Sequence, residues 1–253
     1  MRSNRALWYV GSIGVTALLI GFWQLVADHG NIPAVFLPGP DRAWDALISG
    51  ISDGPIGKVT GATVERMVFG WGLASLFGIA LGSLIGSSRR AREYLAPSLE
   101  IIRPVPVSAF MPVVMAFLGI GANMVLVVVA IGAVWPVLLA TVHGVSAVEP
   151  RLLDVSKVMR LNRFETLWKL ALPNAMPDIL AGARLGLTVS LVLTVVAEML
   201  TSENGLGYYI LLEGRAFHSA NLFAGVILLG IIGLISNLAL QAAEARLLRW
   251  TKR

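Results

Sequence analysis

The 253-residue chain has no cysteine, which excludes disulfides, thiolate metal sites and cysteine nucleophiles and leaves the redox compartment open. Charge is scarce: Asp, Glu, Lys and Arg together make up 14% of the residues, against 56% apolar, where soluble domains carry roughly one quarter charged residues. A phosphate-cradling G-x-x-x-x-G-K-[ST] string is also missing. The nearest approach is GPIGKVT, whose Lys58 is followed by Val59, so the chain holds no P-loop with which to bind a nucleoside triphosphate. Three histidines, His29, His143 and His218, have no metal-ligand spacing. Neither a repeat of 20 to 50 residues nor a low-complexity tract is present, which leaves solenoids and long disordered tails unsupported.

What is present is apolar sequence in runs of membrane-spanning length, with a mean hydropathy of +0.76. Spans are predicted at about 6–27, 64–86, 97–118, 123–145, 179–200 and 222–243, each near the roughly 20 residues a bilayer requires. The fold class is therefore all-α, a polytopic membrane protein of about six transmembrane helices, with residues 1–253 forming one transmembrane domain. The first run exceeds the roughly 7 to 15 apolar residues of a signal core and has no small-x-small cleavage site after it, so it reads as an uncleaved span. The third is the weakest, because IIRPVPVSAFMPVV places Arg103, Pro104, Pro106 and Pro112 where a continuous helix avoids them. A broken helix is expected there.

Six spans put both termini on one side. Sixteen of the twenty Lys and Arg residues then fall in the segments on that side, which makes it cytoplasmic by the positive-inside rule. The basic excess follows this loop asymmetry and gives no reason to invoke nucleic acid. Residues 28–63 and 201–220 are expected outside, with a short amphipathic helix near DRAWDALI resting on the outer surface.

Two rows of small residues recur every fourth position: Gly70, Ala74, Gly78, Gly82 and Gly86 in the second span, and Gly182, Gly186, Ser190, Thr194 and Glu198 in the fifth. The first follows an i±4 ridge suited to close packing within the subunit. The second turns polar toward its outer end and reads as more functional. Glu198 is the one carboxylate well inside a predicted span, and such a group requires a polar partner or water. It is either a hydrogen-bonded structural glutamate or a substrate contact. Arg103 is either an interfacial arginine reaching for water or a charge at a broken helix beside a translocation route. An intramembrane serine protease built on Ser83 and His143 is a minor alternative, since nothing orients the two as nucleophile and base. An ion-coupled secondary transporter using Glu198 is another, without the inverted repeats many such proteins show.

Between the fourth and fifth long runs lies a charged, amphipathic island, RLLDVSKVMRLNRFETLWKLALPNAMP, at 151–177. Leu152, Val155 and Met159 share one helical face. Phe164, Leu167, Trp168 and Ala171 keep the spacing of a second short helix, with Glu165 and Lys169 as an i, i+4 pair. Pro173 is expected to end that helix, and Pro177 to sit in the first turn of the next span. From periodicity alone the island is either a basic loop on the lipid surface or a docking surface.

Residue order separates the two. The segment VEPRLLDVSKVMRLNRFETLWKLALPNAMPDILAGARLGL resembles the cytoplasmic loop signature of binding-protein-dependent ABC importer permeases, with Asp154, Val155 and Ser156 at its start and Leu172 and Pro173 at its end. RPVPVSAFMPVVMAFLGIG (103–121), AEMLTSENGLGYYI (197–210) and LPGP (37–40) are similar to their counterparts in the nitrate, taurine and alkanesulfonate subfamily. The resemblance implies a type I importer permease fold in which residues near 151–165 form a coupling helix seated on an ATPase, with Arg160 and Leu161 at its bend. Arg160 stands where the family usually has glycine. The resemblance further implies two cytoplasmic ATPase subunits that carry the ATP and Mg, no cofactor or catalytic residue in this chain, and a second permease copy in a homodimer or close heterodimer. It also implies an extracytoplasmic solute-binding protein that selects a small polar or anionic solute, location in a bacterial inner membrane, and translocation or gating roles near Arg103, Pro104, Pro106 and Glu198.

Overall fold

A computed structural model of the chain describes residues 3–30, 32–102 and 104–249; Arg103 lies outside the described residues. Where water is excluded, backbone groups must find partners within their own segment, and helices do this. Among the described residues there are helices and no strand. In order they are α1 (Ser3–His29), α2 (Pro40–Ser52), α3 (Ile56–Gly86), α4 (Arg89–Ile102), a 3₁₀ turn at Val107–Phe110, α5 (Met111–Leu118), α6 (Ala122–Ser146), α7 (Pro150–Val158), α8 (Arg163–Thr166), α9 (Leu172–Thr201), α10 (Leu206–Arg215) and α11 (Ser219–Leu247). A π-helical turn at Leu167–Ala171 joins α8 to α9.

Five stretches are long and apolar enough to cross a membrane: Gly11–His29, Ile56–Gly86, Ala122–Ser146, Arg163–Thr201 and Ser219–Leu247. Over 97–118 the chain does not form one continuous helix but α4, a break at Pro104 and Pro106, the 3₁₀ turn and the eight-residue α5; because α3 and α6 advance in the same direction along their contact, this broken segment brings the chain back from the end of α3 to the start of α6. Proline rings at consecutive turns remove the donors a continuous helix needs. The amphipathic helix expected near DRAWDALI is α2, started by Pro40 in its first turn.

The core is a three-helix sandwich in which α6 packs between α3 and α9. Gly70, Gly78, Gly82 and Gly86 meet Val129, Val137, Thr141 and Val145, a ladder in which both partners advance by four. A methyl placed at Gly78 would come within 2.9 Å of the Val137 Cβ, so the backbones approach as only glycine allows. The first small-residue row therefore packs within the subunit, as its spacing predicts. The second does the same at its N-terminal half: Gly182 and Gly186 lie against the Pro136 and Ala133 carbonyls of α6. Ser190 and Thr194 are fully buried and bond back to the Leu187 and Ser190 carbonyls at 2.7 and 2.8 Å, so these polar members close on their own helix. Trp71 donates its indole N–H to the Ala183 carbonyl at 2.8 Å, tying α3 to α9.

The remaining helices wrap this core. Helix α11 packs on α2, α10 and α9, closing a cluster of Leu47, Ile56 and Ala224. Helix α1 is peripheral, held where Trp23 donates to the Pro38 carbonyl at 3.1 Å and stacks 5.5 Å from Phe223. Its Leu18 and Phe22 face outward from the bundle, as a helix against lipid or a neighbour would.

Candidate functional site

Two places concentrate the sequence-predicted residues. They lie at opposite ends of the 163–201 stretch.

At the first, α7 begins at Pro150, in the first turn where a missing N–H costs little. It ends in a Schellman closure: the Leu161 N–H donates to the Ser156 carbonyl at 2.9 Å and the Arg160 N–H to the Lys157 carbonyl at 3.0 Å. This closure needs a left-handed residue, and Arg160 supplies it with φ of 52°. The turn associated with glycine is thus kept by an arginine, at a cost of about 1 kcal/mol. Asn162 then opens α8 with a capping box: its Oδ1 accepts the Glu165 N–H at 2.8 Å, and Glu165 Oε2 accepts the Asn162 N–H at 3.0 Å. Glu165 also accepts from Lys169 at 2.9 Å, the pair expected from spacing.

Beyond this the structure corrects the sequence reading. The helix does not stop at Pro173. The Leu172 N–H reaches the Leu167 carbonyl, five residues back, and this widened turn lets the helix run on through Pro173 despite its missing donor. Pro177 lies inside α9 rather than in its first turn. The wide turn also splits the expected apolar face. Ala171 is buried and Leu167 half-buried, packed with Val145, Val148 and Ala175, whereas Phe164 and Trp168 are 73% and 65% exposed.

The predicted docking residues divide likewise. Ser156 is only 6% exposed and bonds back to the Leu153 carbonyl at 2.7 Å, so it props α7 and presents nothing outward. Leu161 and Leu172 are half-buried. Asp154, Val155, Arg160 and Pro173 are exposed, and Asp154 pairs with Lys157 at 2.9 Å. Val158 and Met159 lie beside them, 84% and 64% exposed. These two carry the surface with Phe164 and Trp168, and the sequence reading missed Val158 because it falls off the Leu152, Val155, Met159 face.

At the second place Glu198 is fully buried. Arg66 of α3 donates to its Oε1 at 2.8 Å, the Thr63 hydroxyl lies 2.9 Å from its Oε2, and the Gly207 N–H donates to Oε2 at 3.0 Å. The same Arg66 reaches the Asn204 carbonyl at 2.8 Å and Glu203 at 3.4 Å. Thr63 in turn accepts the Leu206 N–H at 2.7 Å. Two free N–H groups of the first turn of α10 thus point at one carboxylate and its hydroxyl partner, the favoured end for negative charge. Gly205 lies so close that a β-carbon there would collide with the Glu198 carboxylate. With three donors on its two oxygens, Glu198 fastens α3, α9 and α10 together. Arg66, one helical turn from Thr63, is the partner that burial of a lone charge requires.

Of the other candidates, Pro104 and Pro106 are exposed at the break before the 3₁₀ turn. Ser83 is buried and its hydroxyl has no hydrogen-bond partner among the described residues, His143 included. No nucleophile and base are joined there. A further ion pair, Arg184 with Glu244, links α9 to α11 beside a cavity of about 380 Å³.

The chain was compared with known proteins. Residues 74–253 match the model of the family described as binding-protein-dependent transport system inner membrane component. The chain is 31% identical over 244 residues to the putative aliphatic sulfonates transport permease protein SsuC of Bacillus subtilis strain 168, with 96% of this chain and 88% of that one covered. It is also 31% identical to the taurine transport system permease protein TauC of Escherichia coli K12, covering 94% and 89%. Among solved structures, the inward-facing MetNI methionine ABC transporter superposes with a TM-score of 0.67 at 18% identity, over 78% of this chain and 96% of that chain. At that identity the likeness is one of fold, a type I importer permease arrangement of helices. The family match spans α7, the left-handed turn at Arg160, the wide turn into α9, and Glu198 with α10, though not its partners Thr63 and Arg66, and the chain belongs to the inner membrane components of binding-protein-dependent transport systems.

Proposed function

We propose that this chain forms the translocation pathway of an ATP-driven importer for a small polar or anionic solute of the nitrate, sulfonate or taurine kind, and that it does so with a second copy of itself or a close relative. The observation that carries the reading is the apolar surface of Val158, Met159, Phe164 and Trp168, left uncovered from the end of α7 through the capped α8 into the π turn. Such a surface on rigid elements suits a protein partner better than mobile lipid. The partner proposed is a cytoplasmic ATPase, two copies per transporter, which would bind ATP and Mg; this chain supplies no nucleotide-binding loop and no bond-making step. A solute-binding protein on the other side would deliver the substrate. The positive-inside asymmetry supports cytoplasmic placement of both termini and of residues 146–178.

Alternating access then needs no chemistry within the bundle. ATP binding would move the docked segments, and α9, continuous with α8, would carry that motion toward the end where Glu198 is fastened. The fully bonded Glu198 leaves little acceptor capacity for a shuttled proton, which favours ATP over an ion gradient as the energy source.

The test is uptake of taurine and of a short alkanesulfonate into vesicles reconstituted with the permease, its ATPase and the binding protein. Uptake should require ATP inside the ATPase-facing compartment and survive collapse of the proton gradient. Uptake driven by an ion gradient without ATP would overturn the proposal in favour of a secondary transporter.

A further inference from the structure

Beside the packing of Val145 and Val148 on Leu167 and Ala171, the C-terminal ends of α3 and α6 leave a gap against the docking segment. Between Gly86, Val145 and the α7 to α8 turn lies an open groove of about 970 Å³. Five basic side chains line it, Arg89, Arg90, Arg92, Lys157 and Arg163, and no carboxylate does among the described residues. Two of the five are committed nearby: Arg89 pairs with Glu93 at 2.8 Å and Lys157 with Asp154 at 2.9 Å. Arg92 is fixed by donating to the Gly86 carbonyl at 2.7 Å, which terminates α3 without neutralising the guanidinium. Arg90 and Arg163 have no ion-pair partner among the described residues. The rest of the lining is an apolar wall of Val145, Val148, Leu153, Leu161 and Leu167 interrupted by the hydroxyls of Ser87, Ser88, Ser146, Ser156 and Thr166.

A pocket with a cationic rim and an apolar wall fits a ligand that is anionic at one end and hydrocarbon at the other. Its depth agrees with this. The groove opens where two membrane-length helices end, α3 at Gly86 and α6 at Ser146, which is the level of lipid headgroups on whichever side those ends lie. Helix α4, which carries three of the cations, has Tyr94, Leu95, Ile101 and Ile102 exposed, as a helix lying in the interface does. We infer that the groove binds an anionic phospholipid, its phosphate held between Arg90, Arg92 and Arg163 and its acyl chain laid along Leu153 and Leu161. A lipid seated there touches both α4 and the back of the docking segment, so it would brace that segment against the membrane.

The inference is independent of the substrate and of the direction of transport. It is tested on the full-length permease, purified with its copurifying subunits, by native mass spectrometry after equilibration with equal amounts of dioleoyl phosphatidylglycerol and dioleoyl phosphatidylcholine. The wild type should retain phosphatidylglycerol preferentially. Arg90→Gln combined with Arg163→Gln should lower that preference by at least about fivefold, while Arg246→Gln, a basic residue of α11 outside the groove, should leave it unchanged. Both altered arginines are exposed, and an unchanged melting temperature confirms that the double variant is folded. Equal loss of preference in Arg246→Gln would overturn the site in favour of general surface charge. Equal retention of the two lipids by the wild type would overturn an anionic lipid as the occupant. Unchanged lipid preference in the double variant together with loss of the copurifying ATPase would show the groove to be a protein dock.

Discussion

The two ends of the 163–201 stretch treat their side chains in opposite ways. At the Glu198 end every polar group closes on another within the chain: one carboxylate, one guanidinium, one hydroxyl and two backbone N–H groups are satisfied with almost no exposure. At the Trp168 end the capping box and a short-range ion pair satisfy Asn162, Glu165 and Lys169, but large apolar groups stand uncovered. A buried polar knot stabilises a single arrangement of this subunit, because each member is costly to leave alone. An uncovered apolar face adds nothing to the isolated chain and gains only when something covers it. The difference separates what the subunit does for itself from what it leaves for a partner.

The sharpest way to break this comparison is to remove the buried carboxylate. Glu198→Ala leaves Arg66 and the α10 N-terminus without their acceptor and should destabilise the subunit by about 3 to 5 kcal/mol, read as a lowered melting temperature in detergent. Adding Arg66→Ala should recover part of that loss, since the stranded charge goes with it. Glu198→Gln keeps the shape but not the charge, and the assembled complex should still form and hydrolyse ATP while transport falls. A melting temperature unmoved by Glu198→Ala would mean that the knot holds nothing.

At the other end the expected effect on stability is small and the effect on assembly large. Phe164→Ala with Trp168→Ala should change the stability of the isolated chain by less than about 0.5 kcal/mol, yet lower copurification of the ATPase. A large loss of stability would show that these rings pack inward in the membrane, and the contrast between the two ends would fail.

The smallest effect is expected at the turn between α7 and α8. Arg160→Gly relieves the left-handed backbone but adds freedom to the unfolded chain, so it should stabilise by at most about 1 kcal/mol. Arg160→Val at the same place should destabilise by more, because a β-branched side chain is poorly tolerated there. Thermal unfolding of the two variants checks the order.

Much of this contrast could be read before any coordinates were known. Helical spacing set out the small-residue row of α3 as a close-packing face, the amphipathic α2, the broken third run and the Glu165 pair with Lys169. Burial of Glu198 also follows from its place in an apolar run, as does its need for a partner. The identity of that partner does not. Arg66 is 132 positions away, and charge counting assigns it to an outer segment because it lies one turn from the start of the apolar window. Pairing across helices depends on their relative height and rotation, which no local pattern encodes. The continuity of α8 into α9 was hidden for a different reason: a proline normally ends a helix, and the wide turn that accommodates Pro173 leaves no composition signal. The inward turn of Ser156 is likewise a matter of a hydroxyl closing on its own helix, which its place in a motif does not reveal.

Because the π turn removes the joint that Pro173 would otherwise make, the helix from Leu172 to Thr201 starts directly from the Trp168 surface. From Leu172 to Glu198 is 26 residues, about 39 Å at 1.5 Å per residue. A rod of that length tilted by about 3° at its near end moves its far end by about 2 Å, enough to part the 2.8 Å contact of Glu198 with Arg66. A flexible loop at Pro173 would have absorbed so small an angle.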